Sequence, residues 1–310
     1  MVSLAAVILA HADPTHLHRL VAALTDIPVF LHIDAKTSPQ IASEMLTGLP
    51  SRVSLVNPIP TSLGSWSLVE AELNALRMAM GTAADHVLVA SGADYPLIGM
   101  EALEDALRPW KGLSLFWNTP IPYPAWDTPH TRDGGLWRFN RRFVSRHAEV
   151  VSVREVPARI PLRRPIPKDL QLRAASQWKI YSRYHVHALL RVVDTRPDLV
   201  RFARTTFIPD ESFTASVLSS PSLVAENHLV PCRASAWFMK WSQNGGSNYH
   251  PNVLGTEDAE DLLRAVRAEP MTPEDARLPY TVKTPHQKWF ARKFTSTQPA
   301  ILELIDQLRV

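Results

Sequence analysis

Apolar and polar positions alternate in blocks along the first 118 residues. "SLAAVILA" is an unbroken apolar run, the pattern of a strand covered on both faces. In "PTHLHRLVAAL", Leu17, Leu20, Val21 and Leu24 fall at i, i+3, i+4 and i+7, which predicts a helix packing one stripe on a sheet. "PVFLHID" reads as a second strand ending in Asp34, and "RVSLV" as a third, shorter one. "SLVEAELNALRMAM" predicts a long helix with Leu68, Ala71, Ala75, Leu76 and Ala79 on one side. "HVLVAS" is another buried strand running into "SGADYP", "GMEALEDAL" a short helix, and "GLSLFWN" a further strand. This rhythm predicts an α/β fold, a Rossmann-like and mostly parallel sheet with helices on both faces.

After Asn118 the rhythm breaks. "TPIPYPAWDTPHTRDGG" and "VPARIPLRRPIPKD" are rich in proline and predict extended loops. "SQWKIYSRYHVHALLRVV" predicts a strand followed by a helix, and a further helix follows Asp210. "TEDAED" reads as a helix start with acids in its first turn, and "PAILELIDQLRV" as a closing amphipathic helix. There is no repeat and no linker-like stretch. The chain therefore reads as one domain over 1–310, with a regular half at 1–118 and an irregular half at 119–310.

Composition narrows the class. Hydrophobic residues make up 45% and charged residues 20%, as in a soluble globular protein with a core. Cys232 is the single cysteine, so no intramolecular disulfide can form and a reducing, cytoplasmic location is expected. The N-terminal apolar run has no basic start and runs into His11 and Asp13, so it is expected as a buried strand rather than a leader. No apolar run is long enough to span a bilayer. Net charge is +3, but sixteen Lys/Arg stand against five Asp/Glu between Arg138 and Arg204. That stretch lacks interleaved aromatics and any nucleic-acid fold signature, so nucleic acid is not expected as a partner. It is either a solvated face or a peripheral contact to anionic lipid or an acidic polysaccharide, at 138–204.

Ligands of open parallel sheets bind at the carboxyl ends of the strands. His11, Asp34 and Asp94 each follow a predicted strand, so all three belong to one edge. The motifs G-x-G-x-x-G, G-x-x-x-x-G-K-[ST] and G-x-S-x-G are absent, which argues against dinucleotide enzymes, P-loop NTPases and α/β-hydrolases. D-x-D, a common metal–diphosphate holder, is absent too, and the histidines show no metal-ligand spacing. "KWFARKF" places Arg292 and Lys293 side by side among aromatics, either as a surface pair or as a cationic clamp for phosphate. In "FIPDESFTASVL", Asp210 and Glu211 read either as helix-capping acids or as a carboxylate held at a site.

Taken in order, "VILAHADP", "HIDAK", "GSWSLVEA", "SGADYPL", "SQW", "PDESF" and "FARKF" resemble the core-2/I-branching β-1,6-N-acetylglucosaminyltransferases and peptide O-xylosyltransferases, from about residue 4 to residue 295. The resemblance implies a GT-A-type fold, an inverting transfer from a UDP-sugar, and no metal or other cofactor. It implies Glu211 as general base and Arg292 and Lys293 as the diphosphate clamp. It implies Ala10, His11 and Asp34 at the uridine, with Asp94, Trp178 and Trp241 lining the donor or acceptor sugar site. Asp210 is then expected as the helix cap. The sequence departs from the family's usual "WGG-SLVEA" at Leu63 and Ser65, which bears on the shape of the donor pocket. The expected reaction moves a sugar, GlcNAc on this resemblance, to a hydroxyl of a glycan, lipid-linked or small-molecule acceptor. The alternatives are a UDP-xylose donor, or a non-catalytic sugar-nucleotide or glycan-binding protein on the same fold.

Overall fold

The computed structural model describes residues 2–128, 131–154, 156–226, 228–241, 251–277 and 286–309. Its centre is a mostly parallel sheet, four of whose five strands come from the regular half. In chain order the elements there are β1 (Leu4–Ala10), α1 (Pro14–Ala23), β2 (Val29–Ile33), α2 (Pro39–Leu46), β3 (Val53–Leu55), α3 (Trp66–Ala79) and β4 (His86–Ser91). β5 (Asp94–Pro96), α4 (Met100–Leu107) and β6 (Asn118–Pro120) follow. The irregular half begins with four two-residue strands, β7 (Ser145–Arg146), β8 (Glu149–Val150), β9 (Ser152–Val153) and β10 (Val156–Pro157). It continues through β11 (Arg173–Ala175), β12 (Lys179–Ser182), α5 (Arg183–Thr195), α6 (Pro197–Ala203), α7 (Phe213–Leu218) and β13 (Trp237–Met239). α8 (Ala259–Arg267), α9 (Pro273–Arg277), β14 (Phe290–Arg292) and α10 (Pro299–Leu308) complete it.

The central sheet runs β12-β4-β1-β2-β3, all parallel except β12, which lies antiparallel to β4. Apolar runs make these strands because both faces are covered. On β1, Leu4, Ala6, Ile8 and Ala10 enter one core layer, while Ala5 and Val7 enter the other. The first layer receives α1, α4, α8 and α10; the second receives α3, α5, α6 and α7. This is the expected α/β architecture, a mostly parallel sheet with helices on both faces.

Two elements differ from expectation. "GLSLFWN" is not a central strand. The place beside β4 is taken by β12, so Leu115 makes only an isolated bridge to Ile180, and Asn118–Pro120 pairs with β11 instead. α2 adds a helix between β2 and β3, started by the Ser38 side chain accepting from Ile41 N–H and by Pro39 at the first position.

A second, three-stranded sheet, β13-β14-β5, packs at the carboxyl edge of the first. Its register sets Arg292 opposite Asp94. Chain separated by some 200 residues is thereby brought to one point.

The two halves are also tied by a buried ion pair. Lys179 Nζ on β12 lies 3.2 Å from both carboxylate oxygens of Glu72 on α3 and donates to Thr214 on α7 at 2.9 Å. Tyr181 donates to the same carboxylate at 2.7 Å, and burial together with that acid pushes its phenol well up. Neither charge is exposed, so each depends on the other for compensation. Lys179→Met should therefore cost about 3–5 kcal/mol by leaving Glu72 unpaired, and the double variant Lys179→Met/Glu72→Gln should recover most of that loss. Urea unfolding of the parent and both variants checks it; a double variant no more stable than Lys179→Met would contradict the pairing.

Candidate functional site

β1, β2 and β4 all end at one edge, and the chain folds back there to close a cavity of about 400 Å³. Asp34 N–H donates to the Ala10 carbonyl at 2.9 Å, and Gly92 N–H to the Leu9 carbonyl at 2.9 Å. Gly92 is needed for this approach, since a Cβ there would sit 2.9 Å from the Ala10 methyl group. Ala10, His11 and Asp34 line the cavity together with Lys36, Ser91 and Arg292.

Asp34 is nearly buried and organises the loops around it. Its carboxylate accepts from Lys36 N–H at 2.7 Å, from Thr61 N–H at 3.2 Å, and from the Thr61 hydroxyl. Lys36 in turn reaches the Ser62 hydroxyl at 2.8 Å and Glu149 at 3.3 Å. Burial lowers the pKa of His11; Asp34 opposes this, and Lys293, Arg292 and Lys36 add to it. His11 is therefore neutral at pH 7. One histidine thus feels all four of these charges.

Arg292 is fixed on two sides. Its Nη1 donates to Asp94 at 2.9 Å and to the Ser91 hydroxyl. Its guanidinium carbon lies 4.4 Å from the centroid of the Trp178 ring. Its Nε has no protein partner among the described residues. An arginine held this way keeps donors in reserve for an anion in the cavity. Lys293 follows half-buried, and its ammonium makes no ion pair or hydrogen bond among the described residues.

Glu211 occupies a short 3₁₀ turn, Pro209–Glu211, just ahead of α7. The turn is entered through Ile208 at φ 51°, a conformation a β-branched residue adopts only under constraint. Ile208 N–H donates to the Gly64 carbonyl at 3.0 Å, which fixes the turn against the 61–65 loop walling the cavity. Arg138 Nη1 donates to Glu211 at 3.1 Å, and its guanidinium stacks 3.7 Å from the Trp126 ring centroid. The Glu211 side chain stays 37% exposed at the rim of this turn. The dense protein around it still withdraws hydration, so burial raises its pKa, with Arg138 opposing.

Asp210 behaves differently from expectation. It is buried, one carboxylate oxygen has no hydrogen-bond partner, and no side chain caps the turn or α7. Asp210 is not a helix cap. Burial, and then the neighbouring charge of Glu211, push its pKa up to about 7.

Asp94 is a second correction. Its carboxylate is fully buried and accepts from Ser91 N–H, the Ser91 hydroxyl, Trp237 Nε1 and Arg292. It has no surface to offer a sugar; it lies behind Arg292 and orients it. Trp178 stacks on that same guanidinium, and its neighbour Gln177 lines the cavity. The next residue, Lys179, carries a charge that acts on Asp210. The segment 177–179 thus joins the Arg292 side of the site to the Glu211 side. Trp241 is not brought in: it is half exposed just ahead of residues outside the description and lines neither this cavity nor the aromatic one below.

The structure adds residues that sequence reasoning missed. Arg138 sat unmarked in a long basic stretch, and nothing local in "LWRF" pairs it with a carboxylate 73 positions away. Lys36 and Ser91 lie inside the motifs "HIDAK" and "SGADYPL", which is the signal that could have found them. A further cavity of about 540 Å³ is lined by Trp117, Tyr123 and Arg233, with Tyr123 in ring contact with Trp126. Among the described residues, no group of three or more His, Cys, Asp or Glu side chains is placed to hold a metal ion.

A family model described as core-2/I-branching enzyme matches residues 7–263. No curated protein matches the chain. Among solved structures, a protein from Bacillus anthracis described as a glucose-1-phosphate thymidylyltransferase, in complex with a sucrose, is similar at 10% identity. That match covers 75% of this chain and 87% of the other, with a TM-score of 0.35. Mannose-1-phosphate geranyltransferase from Thermus thermophilus is similar at 12% identity over 61% of this chain and 53% of its own, with a TM-score of 0.27.

Asp210 also makes stability depend on pH. An unfolded chain sheds this proton near pH 3.8, whereas the folded chain keeps it to about pH 7. Within that window the native state holds the extra proton, so its stability falls as pH rises; outside the window this group adds no slope. Asp210→Asn should gain on the parent by at most about 1.4 kcal/mol per pH unit across the window. Melting curves of both proteins at several pH values check this, and a difference that does not grow with pH would contradict it.

Proposed function

The chain belongs to the core-2/I-branching enzyme family and is a glycosyltransferase, and from that premise we propose an inverting, metal-independent transfer from a UDP-sugar, GlcNAc on the family resemblance, to an acceptor hydroxyl. The observation that carries this reading is the convergence of His11, Asp34, Lys36, Arg292 and Lys293 on one strand-end cavity, with Arg292 clamped between Asp94 and Trp178. Such a fixed cation suits the charge that builds on a departing diphosphate.

In this mechanism the uridine lies against Ala10, His11 and Asp34. Arg292 presents donors to the diphosphate and Lys293 adds a point charge. Glu211 takes the proton of the acceptor hydroxyl as its oxygen attacks the anomeric carbon from the face opposite the leaving group. The raised pKa of Glu211 makes it a stronger base than an ordinary glutamate. Arg138 keeps its carboxylate oriented. The aromatic cavity at Trp117 and Tyr123 is the acceptor side, linked to the base through Trp126 and Arg138. Flat rings there suit the apolar faces of sugar rings.

Glu211→Gln should lower kcat by about 10²–10⁴ while leaving the KM for donor nearly unchanged. Arg292→Ala should lower kcat/KM by about 10²–10³, and Arg292→Lys should recover only part of it. UDP release measured over a panel of UDP-sugars, with EDTA present throughout, checks each value. A strict requirement for a divalent ion, or wild-type turnover by Glu211→Gln, would overturn the proposal. On the acid side, kcat/KM should begin to fall above the ordinary glutamate range, and that limb belongs to the Asp210–Glu211 pair rather than to one residue.

A further inference from the structure

The described residues of 141–163 form two small two-stranded sheets with an unusual set of exposed side chains. β7 and β8 pair antiparallel across His147 and Ala148, both at positive φ, which is the geometry of a tight twisted hairpin. β9 and β10 pair in the same sense, and Val144 N–H reaches the Ala158 carbonyl while Val151 N–H reaches that of Val144. The inner side is anchored firmly. Phe143 is buried and stacks on Phe207 at 5.1 Å between centroids. The buried Arg164 guanidinium donates to the Phe139 and Phe202 carbonyls and to the hydroxyls of Thr205 and Thr206.

The outer side has no such partners. Among the described residues, five of the thirteen exposed large apolar side chains fall in 144–162: Val144, Val153, Val156, Ile160 and Leu162, at 42–71% exposure. Interleaved with them are Arg142, Arg146, Arg154, Arg159 and Arg163, none of which makes an ion pair or side-chain hydrogen bond among the described residues. Two acids fall between them: Glu149, which is engaged by Lys36, and Glu155, which lies outside the described residues. Exposed apolar side chains interleaved with arginines, in a stretch where arginines outnumber acids, are costly to leave in water. Its two chemistries match one environment: acyl chains for the apolar tips and anionic headgroups for the guanidinium ring. No helix among the described residues is long and apolar enough to cross a membrane, so this contact would be one of lying on the surface.

We propose that the 141–163 face docks on an anionic lipid bilayer, through insertion of Val153, Val156 and Leu162 and headgroup contact by the surrounding arginines. A soluble polyanion would use the arginines alone, and a second copy of this chain would bring the same positive charge and repel. The face shares structure with the site: Val150 lies against the loop at Gly64, and Lys36 joins Glu149. Docking therefore holds the Glu211 side of the enzyme toward the lipid surface.

The full chain is sedimented with phosphatidylcholine vesicles and with mixed phosphatidylcholine–phosphatidylglycerol vesicles, at low and high salt. Binding should require phosphatidylglycerol and weaken with salt. Arg142→Gln/Arg146→Gln/Arg154→Gln should lower partitioning about a hundredfold, near fivefold per charge. Val153→Ser/Val156→Ser/Leu162→Ser should lower it by about tenfold or more. All substituted positions are exposed, and unchanged melting temperatures confirm that each variant is folded. Absence of binding to anionic vesicles at low salt would overturn the proposal. So would serine variants that bind as tightly as the parent, since that marks a polyanion surface. So would a concentration-dependent dimer that the serine variants abolish, since that marks a second copy as the occupant.

Discussion

The Asp94–Arg292 pair is the contact on which the site depends. Asp94 is wholly buried and Arg292 nearly so, and neither charge would be tolerated there alone. Their pairing is set by register, because β14 lies antiparallel to β5 with these two residues opposite each other. The carboxylate is completed by Ser91 and by the Trp237 indole. Three separate segments, at 91–94, 237 and 292, are thus drawn to one point at the carboxyl edge of the central sheet. The cation cannot swing away without exposing an acid that has no water to turn to. That rigidity is what the proposed clamp requires and a surface arginine lacks.

The Glu211 side rests on a comparable arrangement one layer down. Glu72 and Lys179 neutralise each other beneath α7, and Asp210 lies within reach of both charges. Placing two acids in sequence in a partly dehydrated turn raises both of their pKa values. Arg138 opposes the rise at Glu211. Asp210 is thus a neutral neighbour through much of the acid range, which spares Glu211 a like charge at its shoulder.

The regular half of the fold was legible because its strands are covered on both faces and its helices on one. Unbroken runs such as "SLAAVILA" and stripes such as Leu17–Leu20–Val21–Leu24 leave few alternatives. "GLSLFWN" misled because an apolar run reports burial, not pairing, and β12 from later in the chain takes the place beside β4. At the site, His11 and Asp34 were readable as strand ends and Arg292 as half of a basic pair among aromatics, and the three are found lining one cavity. Asp94 and Asp210 were readable as acids at the right places but not in what they do. Whether a carboxylate faces a ligand or backs another side chain is decided by partners 198 or 73 positions away, as for Asp94 with Arg292 or Glu211 with Arg138. No local pattern carries that information.

In the proposed mechanism the two basic residues of "ARKF" divide one task. Asp94 cancels most of the net charge that Arg292 would bring, so what Arg292 retains is direction: a planar fork with donors aimed from a fixed position. Lys36 is likewise offset, by Glu149. Lys293 has no acid partner among the described residues, and its charge is already felt at His11. Among the described residues around the cavity, Lys293 therefore supplies a cation with no acid of its own, and Arg292 supplies the geometry. A single divalent ion would supply both at once; here they are separated onto adjacent residues of one strand end, where β14 meets the edge of the sheet.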